Sequence, residues 1–135
     1  MQTTITRRYH FECAHWLPGV PETHKCHRIH GHNYEMEVTC AGPIDPDTGF
    51  IKDFWDIDAI VMPIVESIDH RLLNDIPGLG NPTAEFISRW FLLRLSEHGV
   101  SAVRIYETKD CWADSNFDTN SDIEVRIPPE QSDIT

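Results

Sequence analysis

At 135 residues and 15.6 kDa the chain is long enough for one domain with its own core and too short for two. Eleven Lys and Arg against 22 Asp and Glu leave a formal net charge of −11, which argues against a nucleic-acid or anionic-membrane surface, so any anionic ligand needs a local basic patch. Cys13, Cys26, Cys40 and Cys111 lack the density of a small secreted scaffold, MQTTITRRYHF has no apolar signal core, and no run is long enough to span a bilayer; a cytoplasmic protein with reduced thiols is expected.

The first predicted element is a half-buried strand over Thr4 to Glu12, with Ile5, Tyr9 and Phe11 on one side, Thr4, Thr6, Arg8 and Glu12 on the other, and Cys13 and His15 extending the apolar side. Pro18, Gly19 and Pro21 break the chain into a loop carrying His24 to Arg28. A second strand runs from about His30 to Cys40 and places His30, His32, Tyr34, Met36, Val38 and Cys40 on its inward face. The turn chemistry of GPIDPDTG leads to a short strand near Phe50 to Phe54. Ile57, Ile60, Val61, Ile64 and Ile68 recur at helical spacing, with Pro63 predicting a kink or an early break. After the turn-rich NDIPGLGNP, a helix from Pro82 to about His98 ends at Gly99 and shows a broad apolar face. Val103, Ile105 and Glu107 share one face of a strand over Ala102 to Lys109, and Ile123, Val125 and Ile127 mark another. The pattern predicts one α+β domain over residues 1–127, two helices on one face of an antiparallel sheet, followed by a flexible tail over 128–135.

Two histidines at alternate positions of a strand lie roughly 6.5 to 7 Å apart at Cα and point the same way, so the imidazoles of His30 and His32 can converge on one ion. His15, at the inward end of the first strand, is the best third ligand. Gly31 between them removes bulk and permits an unusual backbone angle. An isolated histidine is more often a hydrogen-bonded core or surface residue, and His10, His24, His27 and His98 are read that way. Three imidazoles suit zinc and leave a position open for water or substrate, as in a catalytic site; a closed site with Cys26 as fourth ligand stays open on spacing alone. Lys25 and Arg28 flank Cys26 with fixed cations, which favour its thiolate and attract an anionic substrate.

C-x-x-x-H-G-H from Cys26 to His32, F-E-x-A-H from Phe11 to His15, the pair Asp69 and His70, and the late strand carboxylate Glu107 together resemble the 6-pyruvoyl-tetrahydropterin synthase / 6-carboxy-tetrahydropterin synthase family over about Ile5 to Trp112. IDHRLLNDIPGLGNPTAE looks most like the bacterial 6-carboxy-5,6,7,8-tetrahydropterin synthases of queuosine biosynthesis. The resemblance implies a tunnelling fold (T-fold) whose sheets join into a barrel, a homohexamer built from two trimers, and a site at a subunit interface. It also implies zinc on His15, His30 and His32, Cys26 as base, Asp69 and His70 as a proton relay, and Glu107 anchoring the pterin through parallel hydrogen bonds. Thr83 is expected to help through its backbone, and Lys25 and Arg28 to contact triphosphate. The implied reaction converts 7,8-dihydroneopterin triphosphate to 6-carboxy-5,6,7,8-tetrahydropterin with loss of acetaldehyde and triphosphate. The alternatives are 6-pyruvoyl-tetrahydropterin synthesis, which keeps the side-chain carbons, and a non-catalytic zinc-stabilised binding module. His27 stands where the family commonly has Gly, and the segment after Lys109 could add an edge strand or cover the site.

Overall fold

The alternation of the N-terminal segment produces a strand longer than its apolar residues alone mark: β1 spans Thr3–His15, and its inward residues Tyr9, Phe11, Cys13 and His15 are all buried. The computed structural model describes residues 1–117. β2 (His30–Gly42) runs antiparallel to β1, with His15 opposite His30 and Cys13 opposite His32. This register brings the ends of two strands, distant in sequence, to one point. Gly31 has no left-handed φ, and a Cβ there would meet only the Cys13 carbonyl oxygen at 3.5 Å, so the glycine answers no unusual backbone demand.

No strand forms near Phe50 to Phe54. Asp45 closes this stretch into a turn, accepting from the Asp47 and Thr48 amides through its side chain, and Asp53 then caps α1 (Phe54–Ile68) by accepting from the Trp55 amide. An early break at Pro63 does not occur either. Pro63 and Ala59 both lie on the exposed side of α1, so the carbonyl deprived of an amide partner faces water, and the helix continues to Ile68. α2 (Ala84–Leu95) starts at the Thr83 cap, continues as a 3-10 turn over Ser96–His98, and stops at Gly99, whose φ of 88° is left-handed.

β3 (Val100–Thr108) pairs with β2 and β4 (Cys111–Asn116) pairs with β3, giving an antiparallel sheet in the order β1-β2-β3-β4. β4 begins two residues past Lys109 and is, among the described residues, an edge strand, one of the two possibilities for the segment after Lys109. The strand expected around Ile123 to Ile127, the tail from 128, and the domain limit at 127 lie outside the described residues. The inward side chains of the sheet and the buried faces of α1 and α2 form one core, in which Phe11 stacks on Tyr34 at 5.2 Å between ring centroids and packs against Phe91 at 5.8 Å. The histidines at the ends of β1 and β2 extend this packed face, so their placement rests on core rigidity.

Candidate metal and pterin site

His15 is 1% exposed, a position no polar ring occupies without partners. Its Nδ1 lies 2.8 Å from the Pro82 carbonyl and 3.2 Å from the Tyr34 hydroxyl. The Nδ1 of His30 lies 2.7 Å from the Arg28 carbonyl. A carbonyl only accepts, so each Nδ1 carries the proton and each Nε2 carries a lone pair. Those two Nε2 atoms are 3.0 Å apart. Two lone pairs at that separation are unsatisfied unless a cation lies between them, and tetrahedral nitrogen ligands around zinc stand about 3.4 Å from one another. His32 completes the group, with the three ligand atoms within 4.8 Å of one another. Its Nε2 is buried without a hydrogen bond. The donor set fits a metal ion, and the three histidines are positioned to bind one.

Burial holds the rings of His15 and His32 below the ordinary imidazole value of 6.5, overriding the opposing pull of Glu107. Neutral rings are what metal ligation requires. Glu107 sits where the β3–β4 register slips, between Tyr106 and Thr108, and its Oε1 approaches His32 Nε2 at 3.4 Å. Burial opposes the imidazolium form that a full ion pair between the two would need. The Glu107 carboxylate, expected on one strand face with Val103 and Ile105, thus meets the histidine cluster at His32.

Cys26 lies in the 3-10 turn Lys25–His27, tied to the end of β1 by the Leu17 amide on its carbonyl at 2.8 Å and capped by His24. Among the described residues, the cluster able to hold a metal contains the three histidines without Cys26. Lys25 and Arg28 are exposed on the same turn and make no ion pair among the described residues. Arg28 serves the cluster through its carbonyl. His27 packs edge-on against Trp16, 5.4 Å between centroids, which braces the turn where a glycine would leave it free. Asn74 adds a second brace, bonding both the amide and the carbonyl of Trp16 at 3.0 and 2.8 Å.

Asp69 and His70 lie on the outer edge of β1. Their segment runs beside that edge, with the Ala14 amide donating to the Arg71 carbonyl and a parallel bridge from Ala14 to Leu72. Asp69 Oδ1 is 3.0 Å from His70 Nδ1 and also accepts from the Glu12 amide, the contact that most strongly draws the Asp69 carboxyl below its usual range. Among the described residues, neither makes a polar contact with His15, His30 or His32. A cavity of about 420 Å³ lies beside them, and its lining includes Glu12, His70 and Arg71 together with His32 of the cluster. Thr83 commits its amide to the Asn81 carbonyl and its side-chain oxygen to the Phe86 amide, leaving a carbonyl lone pair and a hydroxyl proton for a ligand.

The carbonyls of Pro82 and Arg28 that orient the imidazoles carry no signal in the sequence, because any residue supplies a carbonyl. The contact of Glu12 with His70 carries none either, although the alternation of β1 already placed Glu12 on the outer face.

The family model described as 6-pyruvoyl tetrahydropterin synthase matches residues 4–117. A Synechocystis protein named 6-carboxy-5,6,7,8-tetrahydropterin synthase is 36% identical over 108 residues, 76% of this chain and 82% of its own. A Drosophila melanogaster protein named 6-pyruvoyl tetrahydrobiopterin synthase is 35% identical over 81 residues, 52% of this chain and 48% of its own. The structure of Caenorhabditis elegans 6-pyruvoyl tetrahydropterin synthase superposes with a TM-score of 0.78 at 22% identity, covering 87% of this chain and 96% of that one, and shares its T-fold. The chain belongs to the 6-pyruvoyl tetrahydropterin synthase family.

Proposed function

We propose that the chain is a zinc-dependent lyase that converts 7,8-dihydroneopterin triphosphate to 6-carboxy-5,6,7,8-tetrahydropterin, releasing acetaldehyde and triphosphate, in the cytoplasmic synthesis of queuosine. The observation that carries the reading is the convergence of His15, His30 and His32, with the tautomers of His15 and His30 set by carbonyls so that their two lone pairs meet at 3.0 Å. The choice of product rests on the relatives: the one from Synechocystis with the 6-carboxy name matches 76% of the chain, against 52% for the one from Drosophila with the 6-pyruvoyl name.

Zinc held by the three imidazoles would act as a Lewis acid on the side-chain hydroxyls of the substrate. The remaining work belongs to the protein. Cys26 takes a proton from the side chain as base, on a turn that also presents the cations Lys25 and Arg28 to the triphosphate. Glu107, aimed at the cluster from the irregular end of β3, accepts the paired donors of the pterin ring. Thr83 adds its carbonyl or hydroxyl. His70 transfers the next proton, oriented by Asp69 at Nδ1. Because Asp69 and His70 hang on the outer edge of β1, while the three histidines close its inner face, the relay is supplied to a neighbouring subunit's cluster, and the working form is a hexamer of two trimers. The part of the β1 edge that the 69–72 segment leaves open and, among the described residues, the edge strand β4 are the surfaces offered for joining such sheets.

The 6-pyruvoyl product is the second reading, favoured by the description of the matching family model. Mass spectrometry of the products formed from 7,8-dihydroneopterin triphosphate separates the two. A 6-carboxy pterin supports the assignment, a 6-pyruvoyl pterin replaces it with the second reading, and unchanged substrate in the presence of zinc overturns both.

A further inference from the structure

His70 is held from two sides, and only one of them is Asp69. Glu12 meets the Asp69–His70 pair at three points: its amide donates to Asp69 Oδ1 at 2.9 Å, its carbonyl accepts from the His70 amide at 2.6 Å, and its Oε2 lies 3.2 Å from His70 Nε2. The other carboxylate oxygen, Oε1, is 3.9 Å from His10 Nε2, so the carboxylate stands between two histidines. His70 is also the one non-glycine residue with a positive φ, 61°, among the described residues. A side chain disfavours that backbone, which persists where the surroundings over-determine it. Here the surroundings are the main chain and carboxylate of Glu12.

Asp69 alone would fix one ring nitrogen and leave the imidazole, 71% exposed, free to swing about that contact. A second carboxylate on the opposite nitrogen removes the freedom. Since the Glu12 side chain is itself 45% exposed, its contact with the ring outweighs any packing role. We propose that Glu12 is the positioning residue of the Asp69–His70 pair: its carboxylate accepts from Nε2, the nitrogen Asp69 leaves free, whenever that nitrogen carries a proton, until a substrate group takes the carboxylate's place. The inference rests on the role in proton transfer given to His70 under Proposed function.

The test uses the full chain loaded with zinc. Glu12→Gln keeps the shape and both main-chain bonds while cancelling the charge, Glu12→Ala removes the side chain, and Glu12→Asp restores a shorter carboxylate. Misplacement of a proton-transfer group lowers turnover about 10- to 100-fold, so kcat should fall by that factor in the Gln and Ala variants with KM little changed, and recover in part in the Asp variant. Nitrogen-15 spectra of the histidine rings supply a readout independent of turnover: Glu12→Gln should move the His70 Nε2 resonance and leave those of His15, His30 and His32 in place. Wild-type kcat in Glu12→Gln, a rise confined to KM, or an unmoved His70 resonance overturns the proposal. If the wild-type protein does not turn over 7,8-dihydroneopterin triphosphate, the functional reading has failed, and the ring spectra alone decide whether Glu12 positions His70.

Discussion

Removing one imidazole and, separately, the Cys26 thiol distinguishes an open three-histidine centre from a four-ligand plug. In His30→Ala the Nε2 that faces His15 at 3.0 Å is lost, together with the ring that the Arg28 carbonyl holds at 2.7 Å. Deleting a mere outer-shell partner lowers metal affinity about 10- to 100-fold. Loss of a direct ligand from a set of three therefore has to exceed about 100-fold, equivalent to about 2.7 kcal/mol. Cys26→Ala should retain zinc at the wild-type level, because the cluster that can hold a metal forms without its thiol, and should lose turnover. Bound zinc is read by elemental analysis of the purified variants, and affinity by competition with a chromophoric chelator. If Cys26→Ala loses zinc as completely as His30→Ala, the thiol is a ligand, and the binding-module reading of a closed site gains the ground that the lyase loses.

Glu107→Gln should weaken pterin binding by roughly 2 to 4 kcal/mol, through a lost charge-assisted bond and a donor facing a donor; calorimetry giving equal affinities with unchanged zinc content would assign Glu107 to the support of His32 instead. Burial holds His15 and His32 below 6.5, so in metal-free protein the unfolded chain binds protons there that the folded chain does not. Their contribution is present above about pH 6.5 and lost as the pH falls below it. Urea midpoints of chelator-treated protein should accordingly drop between pH 8 and pH 5, and a constant or rising midpoint would contradict the burial argument. Phe11→Ala empties a fully buried site stacked on Tyr34 and should cost about 3 to 5 kcal/mol in denaturant unfolding; a loss below 1 kcal/mol would mean that the face carrying the histidines is not held by this packing. Sedimentation of the active protein should show a hexamer, and an active monomer at assay concentration would remove the interface site.

The strands that carry the histidines were legible because their signal is local. Alternation along β1 and β2 marked which residues face inward, and that parity placed His15, His30 and His32 on one side before any register was known. The directly opposed pairing of His15 and His30 was not legible, since register depends on the whole β1–β2 ladder. Phe50 to Phe54 was misread because bulky apolar residues suit a strand as well as a helix start, and the deciding interaction is the Asp53 cap on the Trp55 amide. Pro63 suggested a break, yet the helix tolerates it on its exposed side. The alternation of β3 placed Glu107 on one face with Val103 and Ile105, whereas its contact with His32 depends on the slipped register near the end of β3. The fold of His70 onto Glu12 joins residues far apart in the chain, and neither carries a local pattern that announces it.

The most direct measurement of the central claim is the stoichiometry of acetaldehyde to triphosphate released when the zinc-loaded protein consumes 7,8-dihydroneopterin triphosphate. One acetaldehyde is expected for each triphosphate, with 6-carboxy-5,6,7,8-tetrahydropterin accumulating in step. Release of triphosphate without acetaldehyde would contradict it and establish elimination with the side-chain carbons retained.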